Sequence, residues 1–164
     1  MIISKINVDI SIIDLLKPMI FDDVLLINTF DNGICITQNI NNISNLSIFI
    51  DKKYITIHNL IYENSFVTNN INNLQDLNIE KIDNEIKINN EINTLNDVCN
   101  VCKKLIHLKF NKCNFNYNSL NFDQKLNFLK NNEFEIVISD KFNGIVLKTK
   151  KNIFDLFINI IYTI

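Results

Sequence analysis

Hydrophobic and polar positions change period several times along the chain. Over 2–8 they alternate, which predicts a strand; over 11–20, Ile12, Ile13, Leu16, Met19 and Ile20 fall on one stripe and predict a short helix. Ser11 and Asp14 stand at capping-box spacing at its start, and Pro18 is placed to kink or shorten it. Strand patterns follow over 24–30 and 34–38, then over 46–50 and 54–60, so the first 60 residues read β-α-β-β-β-β. A second capped helix is predicted from Thr94, with Asp97 three positions on and Leu95, Val98, Cys102 and Leu105 on one stripe. Strand patterns over 85–88 and 107–117 flank it. A third helix opens at Asn121, with Gln124 three later and Phe122, Leu126 and Leu129 facing inward, before strands over 134–139 and 153–164.

The chain has two glycines, Gly33 and Gly144, and each follows an Asn between apolar runs. Asn-Gly in that setting predicts a tight hairpin, because the turn needs backbone conformations that glycine and asparagine tolerate best. Each hairpin follows a short amphipathic stretch, so the recurring unit reads helix, strand, turn, strand. The predicted class is α+β: a mostly antiparallel sheet from repeated β-α-β-β units, with two or three short helices packed on one face. At 164 residues a single domain is expected, with a first repeat over 1–60, an Asn-rich connection over 62–93 and a second repeat over 107–164. Within the connection, 69–93 reads either as a surface loop or as a solvated strand pair.

This arrangement resembles the repeated unit of the DNA sliding clamps of the PCNA class. MIISKINVDISIIDLLKPMI followed by VLLINTFDNGICITQNINNISNLSIFI is similar to that family's first strand, inner-ring helix and following hairpin. LNFDQKLNFLKNNEFEIVISDKFNGIVLK is similar to its later helix and hairpin. The resemblance implies a non-enzymatic subunit that encircles or holds DNA. One chain of this length supplies a single clamp domain, so a ring would need further subunits or a partner chain. The first helix offers Lys17 alone where clamp helices present several basic side chains.

Asn and Ile each make up about a fifth of the residues, while Ala, Arg and Trp are absent, a bias far from average usage. An extremely AT-rich coding sequence, as in some DNA viruses, plasmids, organelles, parasites and endosymbionts, gives this composition. With 47% hydrophobic and 21% charged residues the chain can bury enough apolar surface to fold. A net charge of -2 argues against a general nucleic-acid coat or a polybasic membrane anchor. The N-terminus lacks a secretory pattern, and the apolar C-terminal run is short and interrupted by Asp155 and Asn159. A soluble intracellular protein without a membrane partner is expected, in nucleus or cytoplasm or in a host cell, with reduced cysteines.

Cys99, Cys102, His107 and Cys113 form a C-x2-C-x4-H-x5-C set that would suit tetrahedral zinc and is similar to a retroviral-type zinc knuckle without its glycines. The alternative makes the cysteines small apolar residues of a helix, with no cofactor. Lys103, Lys104, Lys109 and Lys112, interleaved with Phe110, Phe115 and Tyr117, and joined by Lys125 and Lys130, offer point charges for DNA phosphates. Without arginine, bidentate base reading is unavailable. The plain alternative is a solvated helix face.

No Gly-rich phosphate loop, nucleophile elbow or zincin motif is present, and no enzymatic activity is expected. His58 reads as a strand residue, and the acid pairs Asp22/Asp23, Asp83/Glu85 and Glu133/Glu135 as solvated turn carboxylates. The apolar run with Phe157, Ile160 and Ile161 makes the last strand either central in a sheet or an interface with a second copy or partner protein. Together these features predict a clamp-like or scaffold subunit of a DNA replication, repair or transcription assembly. The alternative is a viral or parasite protein-binding regulator without nucleic-acid contact.

Overall fold

A computed structural model describes residues 2–61, 63–83, 85–93, 111–116, 124–139 and 144–161. The chain opens with strand β1 (Ile2–Asn7) and helix α1 (Ile10–Leu16). The helix is capped by Asp9, not by Ser11 as expected, because the Asp9 carboxylate accepts from both the backbone N–H and the hydroxyl of Ser11. These bonds stabilise the ionised form and hold Asp9 below the ordinary aspartate range. Ile13 and Leu16 form the buried face of α1, and Pro18 shapes the 3-10 turn Lys17–Met19 that ends it.

Strands β2 (Leu25–Phe30), β3 (Gly33–Asn41) and β4 (Ser44–Asp51) then form an antiparallel meander. The short strands β5 (Ile57–Asn59) and β6 (Asn64–Thr68) follow. The Asn-rich segment is built of regular structure: a 3-10 turn, Ile71–Gln75, and the meander β7 (Leu77–Ile82), β8 (Glu85–Ile88) and β9 (Glu91–Asn93). It therefore takes the strand alternative, extended to three strands. Ile71, Leu74, Leu77, Ile79 and Ile88 are buried and anchor it.

After β10 (Asn111–Asn116), the third predicted helix is a 3-10 segment, Gln124–Leu129, with Leu126 and Leu129 buried. Strands β11 (Glu133–Ser139), β12 (Gly144–Lys151) and β13 (Phe154–Ile161) complete a further meander. Gly144 opens β12 opposite Ser139, and the turn before it lies outside the described residues, as does the helix predicted from Thr94.

Two sheets result, and every pairing among the described strands is antiparallel. One has the order β5-β1-β7-β8-β9, the other β10-β11-β12-β13-β4-β3-β2-β6. Residues of both sheets and of the helical turns share a single connected core that includes Ile6, Ile27, Leu74, Leu126 and Phe154. The join between the chain's beginning and end is the β13–β4 pairing, from Asp155↔Phe49 to Ile160↔Ser44. It makes the final strand central: Leu156, Phe157 and Ile158 are all buried within the chain, which accounts for the apolar run without a second protein.

Asparagine fills turn positions that glycine would normally occupy. Asn89 and Asn90, at φ 53 and 70, form the two-residue loop between β8 and β9, and Asn131 and Asn152 also have positive φ. Asn90→Val is expected to cost about 1–2 kcal/mol in chemical denaturation, because a β-branched side chain opposes the left-handed backbone. Asn90→Gly should stay within about 0.5 kcal/mol of the parent. Equal effects of the two would show that the loop is not held in this conformation.

Candidate nucleic-acid and partner surfaces

Besides the β13–β4 pairing, the segment 124–129 is a second place where the later part of the chain meets the first. Lys125 Nζ donates to the Ile40 carbonyl at 2.9 Å and lies 5.9 Å from the Phe21 ring centre. This candidate phosphate lysine thus fastens the 3-10 segment to β3 and the α1–β2 connection. Lys151 Nζ donates to the Phe128 carbonyl at 2.8 Å, a second fastening at the same segment. Lys130, one residue past the segment, is exposed. The described lysines are partly committed elsewhere: Lys17 pairs with Asp14 at 3.4 Å, and Lys148 stands over the Phe157 ring at 5.7 Å.

Beneath Lys125 lies a polar hollow of about 510 Å³ lined by Phe21, Asp22, Asn39, Ile40, Asn41, Asn42 and Lys125. Gln38, which is 1% exposed, orders the connection that supplies Phe21 and Asp22 to this hollow. The Gln38 carbonyl accepts from the N–H groups of Phe21 and Asp22, and its amide donates to the Met19 carbonyl. Asp22 in turn accepts from the N–H groups of Val24 and Asn39. The first bond closes a turn and the second ties that turn to β3, so this carboxylate has a structural duty.

A second cleft of about 500 Å³ runs beside β6 and is lined by Val24, Phe66, Val67 and Leu77 with Asn69, Asn70, Asn73, Asn89 and Glu91 at its rim. Val24 is 56% and Val67 49% exposed, an apolar pair next to the β6 edge. Sequence reasoning did not single out this cleft, because its apolar residues come from separate strands and its rim is asparagine, too abundant here to stand out.

Cys99, Cys102, His107, Lys103, Lys104 and Lys109 lie outside the described residues, and Cys113 and Lys112 stand in β10. Among the described residues, no group of three or more His, Cys, Asp or Glu side chains is arranged to hold a metal ion. Glu135 stands in register between Lys148 of β12 and Lys112 of β10. Asp83 occupies a left-handed turn position, and His58 sits on edge strand β5 opposite Ile6. Phe157 is 1% exposed; Ile160 is half-buried and packed on the core, and Ile161 stands opposite Gly144. Among the described residues no helix is long and apolar enough to cross a membrane.

No protein-family model and no curated protein matches the chain. Among solved structures it is similar to one described as the C-terminal region of FEN-1 bound to A. fulgidus PCNA, with a TM-score of 0.48 and 8% identity, covering 100% of this chain and 99% of that chain.

Proposed function

We propose that this chain is a non-enzymatic, clamp-like or scaffold subunit of a DNA replication, repair or transcription assembly, acting by holding protein partners and phosphate backbone. One observation carries the reading. Strands β10-β11-β12-β13 lie side by side in that order and continue through β13 into β4-β3-β2-β6, so that strands from the two ends of the chain are joined edge to edge into one eight-stranded antiparallel sheet. Edge-to-edge joining builds an extended surface without requiring a catalytic pocket. The helix-hairpin recurrence supports it as well: α1 precedes β2 and β3, and the segment 124–129 precedes β11 and β12, with a glycine opening the second strand of each pair.

Lysines supply the phosphate contacts in this reading, Lys130 with Lys103, Lys104 and Lys109, while Lys125 orders the segment 124–129 next to Lys130. Replacing Lys103 and Lys104 together by Gln should reduce the slope of log affinity for duplex DNA against log salt by roughly two, since each neutralised phosphate contributes about 0.9. Filter binding at several salt concentrations reads this directly. Parent protein that shows no salt-dependent DNA binding would overturn the nucleic-acid half of the proposal. The second reading, a protein-binding regulator that touches no DNA, is then favoured by the apolar pair Val24 and Val67 beside the β6 edge.

A further inference from the structure

The rim of the cleft beside β6 carries hydrogen-bonding groups that the fold leaves half used. Asn70 Oδ1 accepts from the N–H of Asn72 and Asn89 Oδ1 from the N–H of Asn78, so each carboxamide is oriented by its oxygen and its amide N–H groups remain for another acceptor. Asn73 is held the other way: its Nδ2 donates to Thr68 Oγ1 at 2.7 Å, and its Oδ1 remains as an acceptor. Inside the rim the surface is apolar. Phe66, Leu77 and Ile88 are buried, whereas Val24 and Val67 are left in contact with water. The cleft's volume of about 500 Å³ falls within the roughly 300–1,000 Å³ of ligand pockets. Charge at its mouth is of one sign. Among the described lining residues Glu91 alone is charged, and the exposed Asp23 and Asp76 adjoin the lining residues Val24 and Leu77 in sequence. Lys87 adjoins Ile88, but it belongs to the other face of the sheet, opposite Glu80.

Resting on the reading of this chain as a subunit that holds protein partners, we infer that this cleft takes a basic segment of a different protein, in which one side chain the size of leucine or phenylalanine is flanked by lysine or arginine. The apolar side chain covers Val24, Val67 and Phe66. Asn70 and Asn89 donate to carbonyls of the segment and Asn73 accepts from one of its N–H groups, so the peptide backbone is recognised at the rim. The flanking cations face Glu91, Asp23 and Asp76, and this charge complementarity selects a basic partner over an acidic one. The chain's own run from Lys103 to Lys109 has the same mixture of lysine and apolar residues, so the test separates it from a foreign segment.

The test uses the full chain without DNA, so its outcome is independent of the salt-slope experiment. The probe is a labelled heptapeptide with leucine at its centre, two lysines on either side and glycine at each end, and its binding is read by fluorescence anisotropy. Alanine in place of the leucine should weaken binding about tenfold or more, and glutamate in place of the lysines should abolish it. Binding should weaken as salt is raised, and Glu91→Gln should flatten that dependence. Val67→Ser, a change at an exposed side chain, should weaken binding about fivefold or more while the thermal midpoint stays within a few degrees. In NMR of the parent chain, the methyl signals of Val24 and Val67 should shift on addition of the lysine peptide. Unmoved valine signals, or equal binding of the glutamate peptide, would overturn the inference. So would a sedimenting mass above the 19.2 kDa of one chain that returns to it in Val67→Ser, which would make a second copy the occupant. Tighter peptide binding by the chain carrying Lys103→Glu, Lys104→Glu and Lys109→Glu would overturn it as well, by showing that the chain's own run competes for the cleft.

Discussion

Gly33→Ala is expected to be among the most damaging single substitutions in this chain, lowering stability by about 3 kcal/mol or more, because two independent mechanisms act at one atom. The residue has φ 154, a conformation that L side chains rarely adopt. An added Cβ would also lie 2.1 Å from the Ile50 carbonyl oxygen and 2.9 Å from the Phe49 ring. The oxygen belongs to the backbone of β4, and Gly33 is paired with both Phe30 of β2 and Asp51 of β4, so relief requires moving a strand. The clash would therefore propagate toward the β4–β13 join. A loss of about 3 kcal/mol corresponds to a thermal midpoint lower by roughly 10 °C for a chain of this size. A neutral Gly33→Ala in a calorimetric melt would refute the close approach.

The Asn32-Gly33 hairpin was legible because a glycine between two apolar runs has few other uses, although the turn itself is Asp31-Asn32 and Gly33 is already the first residue of β3. The strand order of the first 60 residues was legible for a similar reason: strand periods and turn residues agreed. The segment holding β7, β8 and β9 was not resolved between loop and strands, because asparagine there serves three roles under one letter. Asn78 is a strand residue, Asn70 caps a 3-10 turn, and Asn89 and Asn90 form a left-handed loop. The cap of α1 was misplaced by two residues because Asp9 and Ser11 are both good caps, and only the geometry shows which oxygen accepts. Lys125 was read as a phosphate contact from its charge alone. Its carbonyl partner on Ile40 lies 85 residues away in sequence, and a backbone acceptor leaves no mark in the amino-acid pattern. Phe157 shows the converse limit: an apolar run signals burial, but not whether the covering surface belongs to the same chain.

Gln38→Leu should produce the other large effect, a loss of about 3 kcal/mol read by urea denaturation, even though leucine has nearly the same volume. Gln38 replaces water for three backbone groups that belong to a different element: it accepts from Phe21 at 2.9 Å and Asp22 at 3.1 Å, and donates to Met19 at 3.0 Å. Leucine would leave all three without that partner, and the Met19 site is buried. The connection from α1 to β2 would then lose its hold on β3 and loosen the Phe21 ring beneath Lys125. Gln38→Glu separates the roles. A carboxylate keeps both acceptor bonds but points an anion at the Met19 carbonyl, near Asp22, and both burial and that neighbouring charge raise its folded-state pKa above the unfolded value. Protonation restores an O–H donor, so the variant binds its proton more tightly when folded, and its deficit relative to the parent should shrink as pH falls below neutrality. A deficit that instead stays constant or widens between neutral and mildly acidic pH would mean that Gln38 does not donate to Met19, and that the connection is held by the two N–H bonds alone.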